Sequence, residues 1–273
     1  MTDISGMIFL GAAGAIAGAI VGSFLTVVIQ RLPKLIDAAD GNLSAIGFLK
    51  GISSPPSHCP CCGHRIAWRD NIPIAAYMLR GGRCRSCGVP YGIRYLIVEI
   101  ATAAVFASYA IAYGLTARGI LGAIFAAGLI ALTVIDIEEQ LLPDVLLLPL
   151  FGLGLLFQGA FGNGIGDALL GAGTGAGALW LIRRLYQSYR NVEGLGLGDV
   201  KFAGVIGVWI GLSALPMALF IAFAAGTLVM LPAAAMGRVG TQTAVPFGPF
   251  LALGGFCVTV LPNLQGFAAA LFS

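Results

Sequence analysis

Eight apolar stretches, at about 8–29, 95–115, 120–135, 145–161, 168–182, 202–212, 214–235 and 247–261, leave this chain little freedom in what it can fold into. A bilayer core about 30 Å thick is crossed by about 20 apolar residues in a helix. Backbone polar groups in hydrocarbon must be satisfied within the segment, so such runs become helices. Hydrophobic residues make up 58% of the chain and charged residues only 10%, against roughly 25% charged in soluble domains. The expected fold is therefore an all-α polytopic membrane protein of about eight transmembrane helices. The N-terminus opens with the acid Asp3 and no basic patch, so the first run reads as a retained helix rather than a secretory signal. The 202–212 stretch is short for a span and is expected to thin the protein locally and admit water.

Lys and Arg set the orientation. Residues 31–94 carry nine of them, and Arg183, Arg184, Arg190, Lys201 and Arg238 follow. Eight crossings put all of these on one side and only Arg118 on the other. The crowded side is the cytoplasm by the positive-inside rule. Three regions follow: a first helix (1–30), a cytoplasmic cysteine-rich domain (31–94) and a multi-helix membrane domain (95–273).

Five of the six cysteines lie within 59–87. Cys59-Pro60-Cys61-Cys62-Gly63 and Cys84-Arg85-Ser86-Cys87-Gly88 form two CxxC pairs with 21 residues between them. Four thiolates on two such knuckles make a closed tetrahedral zinc site. Cytoplasmic placement argues against stable disulfides. The expected ligands are Cys59, Cys62, Cys84 and Cys87, with Cys61 spare and Cys257 a packing residue. Zinc folds a segment too polar to build its own core.

Carboxylates near hydrocarbon persist where they face a cavity and have work to do. Asp136 directly follows an apolar run, and Asp199 ends Gly194-Leu195-Gly196-Leu197-Gly198. On the topology above both lie at the cytoplasmic ends of their helices. Two adjacent carboxylates do not both ionise easily, so one keeps a proton while the other acts as base. A water between them can attack an amide. Asp136 is placed near a helix C-terminus and Asp199 at an N-terminus, where the dipole favours negative charge. Asp199 is then the ionised member, helped by Lys201. Asp144 and Asp167 read as helix caps, Glu193 as a residue ordering the glycine loop, Glu99 as a partner of a nearby base, and Glu138 and Glu139 as solvated loop acids. The glycines of 171–177 read as close helix packing. Nothing in the sequence points to nucleic acid.

These motifs occur in an order that resembles the bacterial prepilin peptidases of type IV pilus and type II secretion systems, the GxGD-type aspartic proteases. The likeness runs from Gly22-Ser23-Phe24-Leu25 and Arg31-Leu32-Pro33 through the double CxxC, Asn71-Ile72-Pro73, Arg80-Gly81-Gly82-Arg83-Cys84, Ile93-Arg94-Tyr95 with Glu99, Ile135-Asp136, Pro143-Asp144, Asp199-Val200-Lys201 and Pro246-Phe247-Gly248-Pro249. Thr26 departs from it, standing where Asn is usual. The resemblance implies an inner-membrane endopeptidase that cuts the short basic leader of prepilins or pseudopilins after a glycine, at the cytoplasmic face. It implies Asp136 and Asp199 as the catalytic pair, with Gly196, Gly198, Lys201, Asp144 and Glu193 in support. It also implies methylation of the new N-terminus with S-adenosylmethionine as donor, in a region that includes Gly82. The lipid bilayer is the other partner. Competing readings are a peptidase without methyl transfer and a non-enzymatic zinc-bearing membrane scaffold. The Gly-rich loop and the Pro246–Pro249 turn are expected to hold an extended substrate.

Overall fold

A computed structural model describes residues 4–54, 56, 58–59, 61–65, 73–90, 92–190, 194–237 and 246–261. Every regular element among them is helical: α1 (Ile4–Ala38), α2 (Ala45–Ser53), α3 (Ala75–Arg80), α4 (Arg94–Tyr113), α5 (Ala117–Glu139), α6 (Asp144–Phe161), α7 (Ile165–Arg190), α8 (Leu197–Ala235) and α9 (Gly248–Val260). Among the described residues six helices are long and apolar enough to cross a membrane. The difference from eight has a simple origin. Helix α8 is two helices joined at Gly211, whose φ of 75° and ψ of 176° are not helical. Helix α9 is apolar but has only 13 residues.

The chain falls into two compact units, Met1–Ala131 and Leu132–Ser273, with α5 passing from one to the other. In the first unit α1 packs along α4 through Gly14, Gly18 and Gly22, one residue per turn. A methyl on Gly18 would stand 2.5 Å from the Thr102 carbonyl oxygen, and one on Gly22 would stand 2.8 Å from Glu99 Cα. Small residues let the two backbones touch, the usual device where lipid supplies no hydrophobic drive between helices. Thr26 donates to the Ser23 carbonyl at 2.7 Å, so this buried hydroxyl is satisfied within its own helix. Arg31 Nη1 donates to the carbonyls of Gly51 at 3.2 Å and Ile52 at 2.9 Å, tying the end of α2 to α1.

In the second unit α8 is the central element, packed against α6, α7 and α9. Its first half, 197–210, is buried continuously from Phe202 onward. A helix buried all round is apolar all round, and this one is. Three helices, α6, α7 and α9, cover it. Two of the four 171–177 glycines pack as the sequence indicated: Gly171 faces Gly207, and a methyl on Gly175 would lie 2.7 Å from the Ala203 carbonyl oxygen, whereas Gly173 and Gly177 have nothing within 4 Å of that position.

The break at Gly211 frees backbone groups that need partners. Asp167 Oδ1 accepts from the Leu212 amide at 3.3 Å, and Gln158 Nε2 donates to the Trp209 carbonyl at 2.9 Å. Trp209 Nε1 in turn donates to the Leu150 carbonyl at 2.7 Å. Asp167 therefore caps the second half of α8 rather than its own helix. It sits so close that a Cβ at Gly211 would collide with it.

Candidate active site and cysteine centre

Asp136 lies in the last turn of α5 and Asp199 in the first turn of α8. Both are buried, at 5% and 9% exposure, in a chain where burying a carboxylate is costly. They lie near enough for their charges to interact directly. Gly248 N–H donates to Asp136 Oδ2 at 3.0 Å, and the Gly196 backbone lies beside Asp199 Oδ2. Among the described residues, Asp199 Oδ1 is buried without a hydrogen-bond partner. A buried carboxylate oxygen left open in this way faces either water or an incoming group.

Local sequence explains the placement. Gly196 caps α8 in an extended conformation, so the helix starts at Leu197, two residues before Asp199. Gly198 makes close approach possible: a methyl there would stand 3.0 Å from Leu142 Cβ. Leu142 belongs to the turn that follows Asp136. The starts of α6 and α8 are joined again by Lys201, whose Nζ lies 2.8 Å from both carboxylate oxygens of Asp144.

Three expectations change here. Lys201 is matched by Asp144, so its charge is not held for Asp199. Asp144 is the first residue of α6, with Pro143 as the cap and no side-chain capping bond; its carboxylate goes to Lys201 instead. Glu99 accepts from the Ile74 amide at 2.7 Å and from Ser23, so it holds a backbone turn rather than a base. Glu138 and Glu139 are exposed as expected, but they lie in the last turn of α5 rather than in a loop. Glu193 and Asn71 lie outside the described residues.

Gly248 was missed as a site residue. The sequence reading gave the Pro246–Pro249 turn to the substrate, whereas its Gly248 amide goes to Asp136. The signal was present. Pro249 at the helix start marks α9's free amides, and those amides attract a carboxylate.

The cysteine centre is two copies of one turn. Cys59 N–H donates to His64 O and Gly63 N–H to Cys59 O, each at 2.9 Å; Cys84 N–H donates to Val89 O at 2.9 Å and Gly88 N–H to Cys84 O at 3.0 Å. Glycine at Gly63 and Gly88 has φ of 67° and 71°, the left-handed region that closes each knuckle. The sulfurs of Cys59, Cys62, Cys84 and Cys87 all lie within 4.8 Å of one another. Cys59 Sγ is 3.7 Å from Cys87 Sγ, and Cys62 Sγ is 3.9 Å from Cys84 Sγ. Such a cluster can bind a metal. Amides of Cys87 and Ser86 aimed at the Cys84 sulfur hold its pKa down at about 6. At Cys87 the Val89 amide favours the thiolate, but withdrawal from water and the neighbouring thiols outweigh it and push the pKa up to about 12. Cys61 is exposed and outside the cluster.

Gly82 is buried with φ of 66°, and a methyl on it would stand 2.5 Å from the Tyr77 ring. It follows α3 and leads into Cys84.

Comparison with known proteins adds to this geometry. Residues 16–113 match the Bacterial Peptidase A24 N-terminal domain, and residues 123–231 match the Type IV leader peptidase family. The chain is 37% identical over 256 residues to a Prepilin leader peptidase/N-methyltransferase of Burkholderia pseudomallei (strain 1026b), covering 88% of this chain and 82% of that one. It is 37% identical over 251 residues to the protein of that name from Pseudomonas aeruginosa, covering 88% and 86%. It is 36% identical over 275 residues to that of Neisseria gonorrhoeae, covering 94% and 93%. No solved structure gives a significant match.

Proposed function

The chain belongs to the type IV leader peptidase family, and on that footing we propose that Asp136 and Asp199 are the pair with which it cuts its substrate. It is a multi-pass membrane protein of this bacterial family and a prepilin leader peptidase/N-methyltransferase, an aspartic peptidase of the A24 type. The observation that carries the assignment is the pair of buried, mutually interacting carboxylates on separate helices, one with an open oxygen.

The chemistry follows from two acids sharing one proton. A water between them attacks the scissile carbonyl carbon. The ionised member of the pair takes the water proton as the O–C bond forms, and the protonated member gives its proton to the carbonyl oxygen. Collapse of the tetrahedral intermediate breaks the C–N bond, and the proton taken from the water goes to the leaving amine.

The substrates are prepilins and pseudopilins, whose basic leader is removed after a glycine at the cytoplasmic face of the inner membrane. The apolar start of the mature protein lies against the spans in the bilayer. The 31–94 segment acts as a domain of its own around a structural zinc. Cys59, Cys62, Cys84 and Cys87 suit that metal: four sulfurs about 2.3 Å from zinc at tetrahedral corners stand about 3.8 Å apart, and two of the pairs are 3.7 and 3.9 Å apart. Zinc would supply only folding free energy there, since no position is left open. S-adenosylmethionine, when bound, supplies an electrophilic methyl to the new N-terminal amine. Gly82, packed on the Tyr77 ring ahead of Cys84, belongs to the region that takes the methyl donor.

Intact-mass analysis of a prepilin incubated with the purified chain tests this reading. Leader loss with wild type but not with Asp136→Asn or Asp199→Asn supports the pair. Unimpaired cleavage by either variant overturns it. A donor-dependent methyl increment separates the bifunctional enzyme from a peptidase alone.

A further inference from the structure

Among the described residues, none covers the outer face of helix α2. Ile46 and Leu49, three residues apart on one side, are 67% and 63% exposed. The opposite side is held to α1: Leu35 packs on Gly51, and Arg31 binds the last carbonyls of α2. Ser44 caps the helix start by accepting from Gly47 N–H at 3.1 Å. This short helix is therefore built, and its apolar edge is presented outward.

What covers that edge follows from its depth. Helix α1 has 35 residues, about 52 Å at 1.5 Å per residue, while the hydrocarbon core is about 30 Å. Helix α1 carries no charged residue from Ile4 to Gln30, so Arg31 is the first charge along it. Basic residues at the end of a long apolar run mark the membrane interface. The bonds from Arg31 to Gly51 and Ile52 set the end of α2 at that same depth, within one helical turn of Leu49. Lys34 and Lys50, both exposed, supply the cations that such helices place among lipid phosphates. A protein partner fits poorly, because two side chains fall far short of the roughly 1,200 Å² that a specific interface buries.

We propose that α2 lodges in the headgroup layer of the membrane that α1 crosses, with Ile46 and Leu49 inserted at the acyl boundary and Lys34 and Lys50 among phosphates. The cysteine-rich segment that follows is thereby tethered to the membrane surface at a second point besides its two flanking spans. The tether keeps that segment beside the bilayer face.

The test uses the full chain reconstituted in phosphatidylcholine–phosphatidylglycerol vesicles, with and without acyl chains brominated near the headgroup. Tryptophan is introduced as Ile46→Trp, Leu49→Trp or, as a control, Asn42→Trp in the exposed turn before α2. Emission of the parent chain is subtracted. Insertion predicts a blue shift and about a twofold loss of the added emission in brominated vesicles for the first two variants, and neither for the third. If Ile46→Trp and Leu49→Trp behave like Asn42→Trp, or are shielded but unquenched, the proposal fails. The unaltered chain gives an independent reading. A phospholipid carrying a photoreactive diazirine near its headgroup should label the peptide containing residues 45–53, and absence of label there also overturns it.

Discussion

Lys201 and Asp144 form a two-pronged ion pair, with Nζ 2.8 Å from each carboxylate oxygen. It joins the first turn of α6 to the first turn of α8, two residues beyond Asp199. Both side chains are more than half exposed, and such pairs contribute at most about 1 kcal/mol to stability. Their consequence is placement. Together with the Gly198–Leu142 contact, the pair holds the turn following Asp136 against the helix that carries Asp199.

Breaking this pair should lower turnover more than stability. Asp144→Ala and Lys201→Ala are each expected to reduce leader removal about tenfold through misplacement of the dyad, with thermal unfolding moved by only a few degrees. The reversed pair, Asp144→Lys with Lys201→Asp, should recover part of the loss. Kinetics of the three variants beside wild type decide it. Single variants that cleave at the wild-type rate would remove the ion pair from the account.

Gly248 should tolerate no side chain. A methyl group there would stand 2.6 Å from Asp136 Oδ2 and 3.1 Å from its Cγ. Either Asp136 rotates away or the start of α9 shifts, and the amide bond to the carboxylate is lost in both cases. A displacement on the order of 1 Å at a catalytic group costs about a hundredfold. Gly248→Ala should therefore cleave at about a hundredth of the wild-type rate in single turnover, with helical content unchanged by circular dichroism. Near-normal cleavage would show that the Asp136–Gly248 contact does not position the acid.

The helices and the pair of buried acids were legible in the sequence because both rest on strong, local signals. Apolar length gives a span, and an acid beside a span is costly enough to need a reason. The cysteine turns were legible because ligand spacing and the closing glycines lie within a few residues. Long-range side-chain partners were not legible. Lys201 lies two residues from Asp199, yet its ammonium goes to Asp144, 57 residues away. Asp167 sits in the first turn of α7 but caps a break in α8. In each case a polar group satisfies a neighbour in space that sequence distance conceals.

The break in α8 depends on that distant cap. Asp167→Ala leaves the Leu212 amide without its acceptor and should cost about 1–2 kcal/mol, read as a lowered unfolding temperature in detergent. Asp167→Asn keeps an acceptor oxygen and should restore most of it. Gly211→Ala should be worse than either, since its φ of 75° is unfavourable to a side chain and the added carbon meets Asp167. Equal stability of all three variants with wild type would mean that the cap does not hold the break.

Metal binding by the cysteine centre should strengthen steeply with pH. A metal takes thiolates, so every thiol still protonated at a given pH must lose its proton on binding. Cys84, with a pKa of about 6, is already a thiolate at pH 7, whereas Cys87, at about 12, is a thiol. At Cys62 the His64 amide favours the thiolate, but withdrawal from water and the other thiols raise its pKa above the usual value. At least two protons are therefore displaced near neutrality, and affinity should rise about a hundredfold per pH unit. Below pH 6 Cys84 also holds a proton, so the dependence becomes steeper on the acid side. Competition between the purified chain and a chromophoric chelator for zinc at several pH values around 7 measures the slope. A slope near zero would mean that the four thiolates are not the ligands. Cys87→Ser should weaken retention of zinc and loosen the 58–90 segment to proteolysis, while a Cys61→Ser control, outside the cluster, should change neither.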